Sequence, residues 1–234
     1  MEQVLELRNR VLEILSGKLD GFYLAGGTAL SLFYFQHRES FDLDFFTDQF
    51  NKVRIQKIAE YIKDSLKKPV DLAGENISDE TAKMQAYYVP AEKKTSLKID
   101  FVEDFFDLIK PLTVADGIPV LSLEDIYFRK ILAIGGSFRQ ENSAGKEFFV
   151  GGRQEAKDFF DLYHLSTTFM PLSEFVQKYC DAIMTESIIV WHRSYDRITI
   201  RTGLIDIITS HVSDYREMER HFKKEIDAII KEII

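Results

Sequence analysis

The sequence predicts an α+β protein in two parts, a strand-bearing N-terminal subdomain over residues 1–115 and a helical C-terminal subdomain over residues 116–234. Three observations lead there. Short apolar runs at strand spacing crowd the first half, the apolar period turns helical from about Leu123, and the change follows a Pro111 to Pro119 segment. A chain of 234 residues that is 45% apolar can bury a sizeable core.

Val4, Leu5, Leu7, Val11, Leu12 and Leu15 recur at helical spacing, so an amphipathic helix opens the chain and ends near Gly17. Phe22–Ala25 reads as a short buried strand running into Gly26-Gly27. Thr28 is expected to cap a helix that continues to about Gln36. Next comes Phe41-Asp42-Leu43-Asp44-Phe45-Phe46, a strand with apolar residues on one side and two carboxylates on the other. Residues 51–67 form a second amphipathic helix, and three strands follow at 70–73, 84–89 and 97–102. The last contains Lys98-Ile99-Asp100-Phe101. In the second half, Gly135 to Gly152 holds five of the twelve glycines and reads as a loop that, with Arg139 and Lys146, is a candidate to close over a nucleotide. Helical patterns resume at 154–166, at 173–183 and from Asp214 to the end. Arg193, Arg197 and Arg201 would share one face if their segment is helical.

Charge narrows the function classes. With 30 Lys and Arg against 38 Asp and Glu, the formal net charge is −8. That excludes broad non-specific nucleic-acid binding, which needs clustered cations to displace counterions, but it permits a local basic groove. The single cysteine, Cys180, can make neither an intramolecular disulfide nor a cysteine-based zinc cluster. His37, His164, His192, His211 and His221 show no metal-site spacing. The start of the chain lacks the layout of a secretory signal and no apolar run reaches membrane-spanning length, so a soluble cytoplasmic protein without membrane contact is expected.

The chemistry concentrates in Gly26-Gly27 and the Asp42-x-Asp44 strand. Glycines let backbone N–H groups approach a phosphate closely. Two carboxylates on one strand face repel each other unless a cation joins them, and a hard divalent ion, Mg²⁺ or Mn²⁺, is the economical partner. A third carboxylate on a neighbouring strand would complete a site that activates an attacking hydroxyl, and Asp100 is the best-placed residue. The pattern points to phosphoryl or nucleotidyl transfer. Each element has an ordinary alternative as well: Asp100 can pair with Lys98 on the same strand face, Gly26-Gly27 can be a plain turn, and Arg38 can contact a phosphate or lock its loop by bonding carbonyls or an acid.

Gly26-Gly27-Thr28-Ala29-Leu30 followed by His37-Arg38-Glu39-Ser40-Phe41-Asp42-Leu43-Asp44-Phe45-Phe46 resembles the first motif of the AbiEii/AbiGii abortive-infection toxins, within the DNA polymerase beta-like nucleotidyltransferase superfamily. Lys98-Ile99-Asp100-Phe101 resembles the second carboxylate strand. Arg129-Lys130-Ile131-Leu132-Ala133-Ile134 resembles the family's lysine-bearing helix, and Lys157-Asp158-Phe159-Phe160-Asp161-Leu162-Tyr163 its Arg/Lys-Asp-x-x-Asp-Leu-Tyr motif. The resemblance implies a small mixed β-sheet nucleotidyltransferase subdomain, a helical C-terminal subdomain and an active site in the groove between them. It implies that Asp42, Asp44 and Asp100 serve metal binding and catalysis, with Lys130 and Asp158 as essential groups facing the nucleotide. Gly26, Gly27, Thr28 and Arg38 are then the candidate nucleotide-binding residues. The implied reaction is Mg²⁺-dependent transfer of a nucleoside monophosphate from a nucleoside triphosphate to a tRNA or other RNA end, by a toxin with a cognate antitoxin. A small-molecule nucleotidyltransferase of the antibiotic-modifying kind, or a non-catalytic nucleotide-binding module, stand as alternatives. Between Lys130 and Asp158 the chain is longer and richer in glycine than the family's usual connection, and beyond about Thr167 no motif is recognisable.

Overall fold

The structure is a computed structural model that describes residues 1–79, 81–92, 95–136, 138–209 and 214–233, with the backbone alone described at 138 and 139. His211 and the Arg139 side chain therefore lie outside the described residues. The chain divides into two compact units, Met1–Tyr34 with Ser40–Ser122, and Phe35–Glu39 with Leu123–Ile234.

The first unit runs α1 (Glu2–Leu15), β1 (Tyr23–Leu24), α2 (Gly26–Ala29, continuing as a π-helical stretch Leu30–Phe35), β2 (Leu43–Thr47), α3 (Lys52–Leu66), β3 (Asp71–Asn76), β4 (Met84–Pro90), β5 (Ser96–Glu103), β6 (Thr113–Ala115) and β7 (Ile118–Val120). Seven strands form one mixed sheet in the order β3-β4-β5-β2-β1-β7-β6. The β2–β5 and β1–β7 pairs are parallel and the others antiparallel. Alternation explains β2: Leu43, Phe45 and Thr47 are buried while Asp44 and Phe46 turn to the half-exposed side. Phe45 stacks on Phe101 of β5 at 5.5 Å, and Phe22 meets Phe101 edge-on at 5.5 Å. α1 contributes Val11 and Leu15, both fully buried, and α3 is capped by Asn51, whose side chain accepts from the Arg54 N–H at 3.1 Å.

The second unit comprises α4 (Leu123–Gly135), β8 (Phe138–Glu141), β9 (Glu147–Val150), α5 (Ala156–His164, continuing as a π-helical stretch Leu165–Phe169), α6 (Leu172–Tyr179), α7 (Ala182–Ser194), α8 (Arg197–Ile205) and α9 (Tyr215–Ile233). Phe159 centres its core, with Phe222 at 4.8 Å, Tyr195 at 5.5 Å and Trp191 at 6.1 Å between ring centroids.

The structure differs from the sequence reading in four places. The glycine-rich stretch is a two-stranded hairpin, β8–β9, because Glu147–Val150 supplies a strand that pairs with 138–141. Strands β6 and β7 occupy the proline segment, so the sheet runs on to Val120 and the compact units divide after Ser122 rather than within the hairpin at 115/116. Helix α2 starts at Gly26, which places Thr28 inside it as a buried residue and not as its cap. The arginine stripe breaks: Arg193 ends α7, whereas Arg197 and Arg201 lie on α8, whose start is fixed by the Asp196 cap.

Candidate active site

Asp44 lies on β2, with Asp42 immediately before the strand, and the parallel register sets Asp44 directly opposite Asp100 of β5. Lys98 precedes Asp100 by two residues and shares its face. Its Nζ lies 2.6 Å from Asp100 Oδ2. Burial opposes the charge on Lys98, but the hydrogen bond to Asp100 and the negative charges of Asp100, Asp42 and Asp44 outweigh it and hold the ammonium above the ordinary lysine pKa. Among the described residues no three His, Cys, Asp or Glu side chains gather into a metal-ligating cluster. Asp100 is thus the cross-strand neighbour of Asp44 and the ion-pair partner of Lys98 at once.

Gly26 closes this face from the turn. Its φ is +69°, and a Cβ there would sit 2.6 Å from Asp44 Oδ2, so only glycine lets the backbone pass so near the carboxylate. The Ala25 N–H donates to the Asp44 carbonyl at 2.8 Å. The Thr28 hydroxyl donates to the Asp42 carbonyl and lies 2.8 Å from the Ser40 hydroxyl. Arg8 of α1, a buried arginine, donates to the Ser40 carbonyl. The strand entry is therefore fixed from α1 and α2 by side chains whose polar ends are already engaged.

The other motif residues meet in the helical unit, which includes residues 35–39. Asp161 is fully buried and accepts from four donors: His37 Nε2 at 2.7 Å, Arg38 Nε at 2.6 Å and Nη2 at 2.8 Å, and Lys130 Nζ at 2.6 Å. Lys130, only 5% exposed, also donates to Asp158 at 2.7 Å. Arg153, about half exposed, completes the cluster through its Nε, 2.5 Å from Asp158. Burial raises the cost of each carboxylate charge, yet Lys130 with Arg38 lowers Asp161 well below the usual carboxylate range, and Lys130 with Arg153 lowers Asp158. Burial likewise opposes the Lys130 charge, and Asp161 and Asp158 reverse that effect. Ring stacking of His37 on Phe160 at 5.6 Å, a hydrogen bond from the Glu39 N–H to the Ile208 carbonyl at 2.8 Å and another from Thr209 Oγ1 to the His37 carbonyl at 2.6 Å hold the 35–39 segment in this unit.

Lys130 and Asp158 bond each other inside the unit rather than lying on a solvated helix face. Arg38 follows the loop-locking alternative, bonded to an acid and to the Glu39 carbonyl at 3.0 Å. Sequence reasoning missed Asp161 as the hub and Arg8 as a strand anchor. The signal for Asp161 was present in its i+3 spacing from Asp158, which stacks the two acids on one helix face.

A family model described as "Nucleotidyl transferase AbiEii toxin, Type IV TA system" matches residues 10–233. The chain belongs to the AbiEii nucleotidyltransferase toxin family. As an AbiEii-type nucleotidyltransferase of a type IV toxin–antitoxin system, it takes a nucleoside triphosphate as substrate and has an antitoxin as partner. Among solved structures, the fold is similar to that of JHP933 from Helicobacter pylori, at 19% identity and a TM-score of 0.59 over 100% of this chain and 96% of that one. It is also similar to MenT4, a nucleotidyltransferase toxin from Mycobacterium tuberculosis H37Rv, at 14% identity and a TM-score of 0.63 over 97% and 84% of the two chains. No curated protein sequence matches. Among the described residues of this AbiEii protein, no helix is long and apolar enough to cross a membrane. A cavity of about 380 Å³ lies between β9 and α7, walled by Ile134, Phe149, Ile183 and Trp191, with the Lys146–Glu186 pair (2.5 Å) on its lining. Neither the sheet carboxylates nor Lys130 line it.

Proposed function

We propose that this AbiEii protein transfers a nucleoside monophosphate from a nucleoside triphosphate to the hydroxyl end of an RNA, with Asp42 and Asp44 holding Mg²⁺ or Mn²⁺. The observation that carries the reading is the Asp42-x-Asp44 strand face with Asp100 opposite Asp44, in a chain that matches the family from residue 10 to 233. The donor set fits a hard divalent ion. It consists of carboxylate oxygens, and Lys98 already stands among them as a cation in the place where positive charge is needed. When bound, such an ion would offset the negative charge of the triphosphate and of the attacking oxygen.

The residues then divide the work. Asp42 and Asp44 supply the ligand oxygens, and Gly26 and Gly27 are the backbone that a phosphate can approach. Asp100 stands beside the pair as the acceptor of the proton that the attacking hydroxyl gives up. The oxygen of that hydroxyl bonds to the α-phosphorus, and the bond from that phosphorus to the departing pyrophosphate breaks. Lys130 and Asp158 serve as positioning residues, since their charged ends already bond each other and Asp161 inside the unit.

Incubating the purified protein with total cellular RNA, Mg²⁺ and each α-labelled nucleoside triphosphate in turn tests the proposal. Labelled RNA with one nucleotide preferred, lost in Asp42→Asn and Asp44→Asn, is the expected result. Label that stays in the small-molecule fraction would reassign the acceptor. The same labelling with or without chelator would remove the metal.

A further inference from the structure

Lys98 has no part in the chemistry just described, yet it sits in the middle of the carboxylate face. We propose that Lys98 is a built-in counter-ion for these aspartates, one that an incoming divalent cation displaces and that thereby sets the affinity of the face for metal. The inference rests on the metal reading above and deepens it.

The placement follows from the sheet. β5 alternates, so Lys98 and Asp100 point the same way while Leu97, Ile99 and Phe101 enter the core. The register pairs Leu43 with Ile99 and Asp44 with Asp100, and Asp42, the residue just before β2, acts on Lys98 together with Asp44 through its charge. Asp44 on β2, Asp42 just before it, and Lys98 and Asp100 on the parallel strand β5 thus bring three carboxylates and one ammonium to one end of this strand pair. Without a cation those carboxylates would repel one another at the distance of adjacent strands. The Lys98 ammonium relieves this, with its Nζ 2.6 Å from Asp100 Oδ2.

A tethered ammonium and a divalent ion answer the same negative charge, that of Asp42, Asp44 and Asp100. Magnesium demands close, near-octahedral oxygen contacts, and a positive charge held beside the ligand carboxylates opposes a second cation there. The Lys98 side chain remains 35% exposed and its four-carbon stem is flexible, so the ammonium can leave toward water when the ion arrives. Had Lys98 only braced the sheet, its charge would be immaterial to metal affinity.

The experiment is a Mn²⁺ titration of the purified full-length chain, read by the loss of the free-ion paramagnetic resonance signal. Wild type, Asp44→Asn, Lys98→Met, Lys98→Gln and Lys98→Arg are compared at one pH. Lys98→Met and Lys98→Gln should each bind Mn²⁺ about tenfold more tightly than wild type, since both remove a competing charge within a few ångströms of the ligands. Lys98→Arg should stay within about threefold of wild type because the charge is kept. Unchanged or weaker binding in the folded neutral variants overturns the proposal, and the two neutral substitutions guard against one of them misfolding. The metal reading fails in a different pattern: wild type and Asp44→Asn then titrate alike, whatever Lys98 does.

Discussion

Two groups of charges in this protein look alike in the sequence and differ in the fold. On the sheet, Asp44 and Asp100 sit opposite each other beside the half-exposed Lys98, whose ammonium bonds Asp100. In the helical unit, Asp158 and Asp161 are buried and bonded to Lys130, Arg38 and Arg153, so cations outnumber acids. A buried, fully bonded cluster is costly to break and has little to offer a ligand, because its oxygens are already satisfied. Carboxylates brought together beside a half-exposed lysine, with access to water, invite a cation. The difference separates a group that would touch substrate from one that holds its surroundings in place.

The sharpest way to break this contrast is to remove one carboxylate from each group. Asp42→Asn or Asp44→Asn should lower nucleotide transfer by roughly a thousandfold, in the range of losing one preorganised electrostatic group at a reaction centre. Their melting temperatures should match wild type. Transfer that survives in either variant would move the chemistry off the sheet. Asp161→Asn should behave in the opposite way, costing about 3–5 kcal/mol in chemical denaturation because Lys130 and Arg38 are left buried beside a neutral amide. Lys130→Met belongs with it, since it leaves Asp158 and Asp161 without their shared cation. An exposed lysine would have melted like wild type, and equal melting temperatures would show that the cluster carries no stability.

Gly26→Ala comes next. A methyl group 2.6 Å from Asp44 Oδ2, at a φ of +69°, should cost about 1–2 kcal/mol of stability, and transfer should fall further than stability because Asp44 has to move. The smallest effect is the pH response of the helical cluster. Asp158 and Asp161 are lowered in the folded state, so the unfolded chain takes up their protons first as the solution is acidified. Their stabilisation is fully present above the ordinary carboxylate pKa of about 4 and is lost as pH falls through the folded values. The stability gap between wild type and Asp161→Asn should therefore stay flat from pH 7 to about 5 and narrow only below about 4. A gap that closes near neutrality would mean that the carboxylates are not held as charged groups.

The sheet half of this contrast was legible in the sequence. Alternation around Leu43, Asp44 and Phe45 and around Ile99, Asp100 and Phe101 reports which side faces the core, and a period of two leaves no other assignment. The helical half was marked only by the family resemblance, because by periodicity alone Lys130, Asp158 and Asp161 read as polar residues on amphipathic helices until their partners are known. Those partners include Arg38, 123 positions from Asp161 along the chain. Long-range ion pairs leave no periodic trace. The β8–β9 hairpin was hidden for another reason: glycine and polar residues dominate its turn and mask a strand of only four residues, Glu147–Val150. Thr28 misled through its type, since threonine is favoured at helix starts, whereas here its hydroxyl is used to hold the Asp42 carbonyl.

Residues 35–39 pack with a unit whose remaining residues begin at Leu123. On the ribosome this imposes an order of events. The sheet can be assembled once Val120 has emerged, while His37 and Arg38 wait for Asp161 and for the carbonyl and hydroxyl of Ile208 and Thr209. At a synthesis rate of roughly 5–20 residues per second, that wait lasts several seconds. During it an arginine and a histidine destined for burial stand in water beside the newly formed carboxylate strand. A nascent chain stalled before residue 161 would lack the acceptor for His37 and Arg38, so the last third of the polypeptide decides when the 35–39 segment takes its final place.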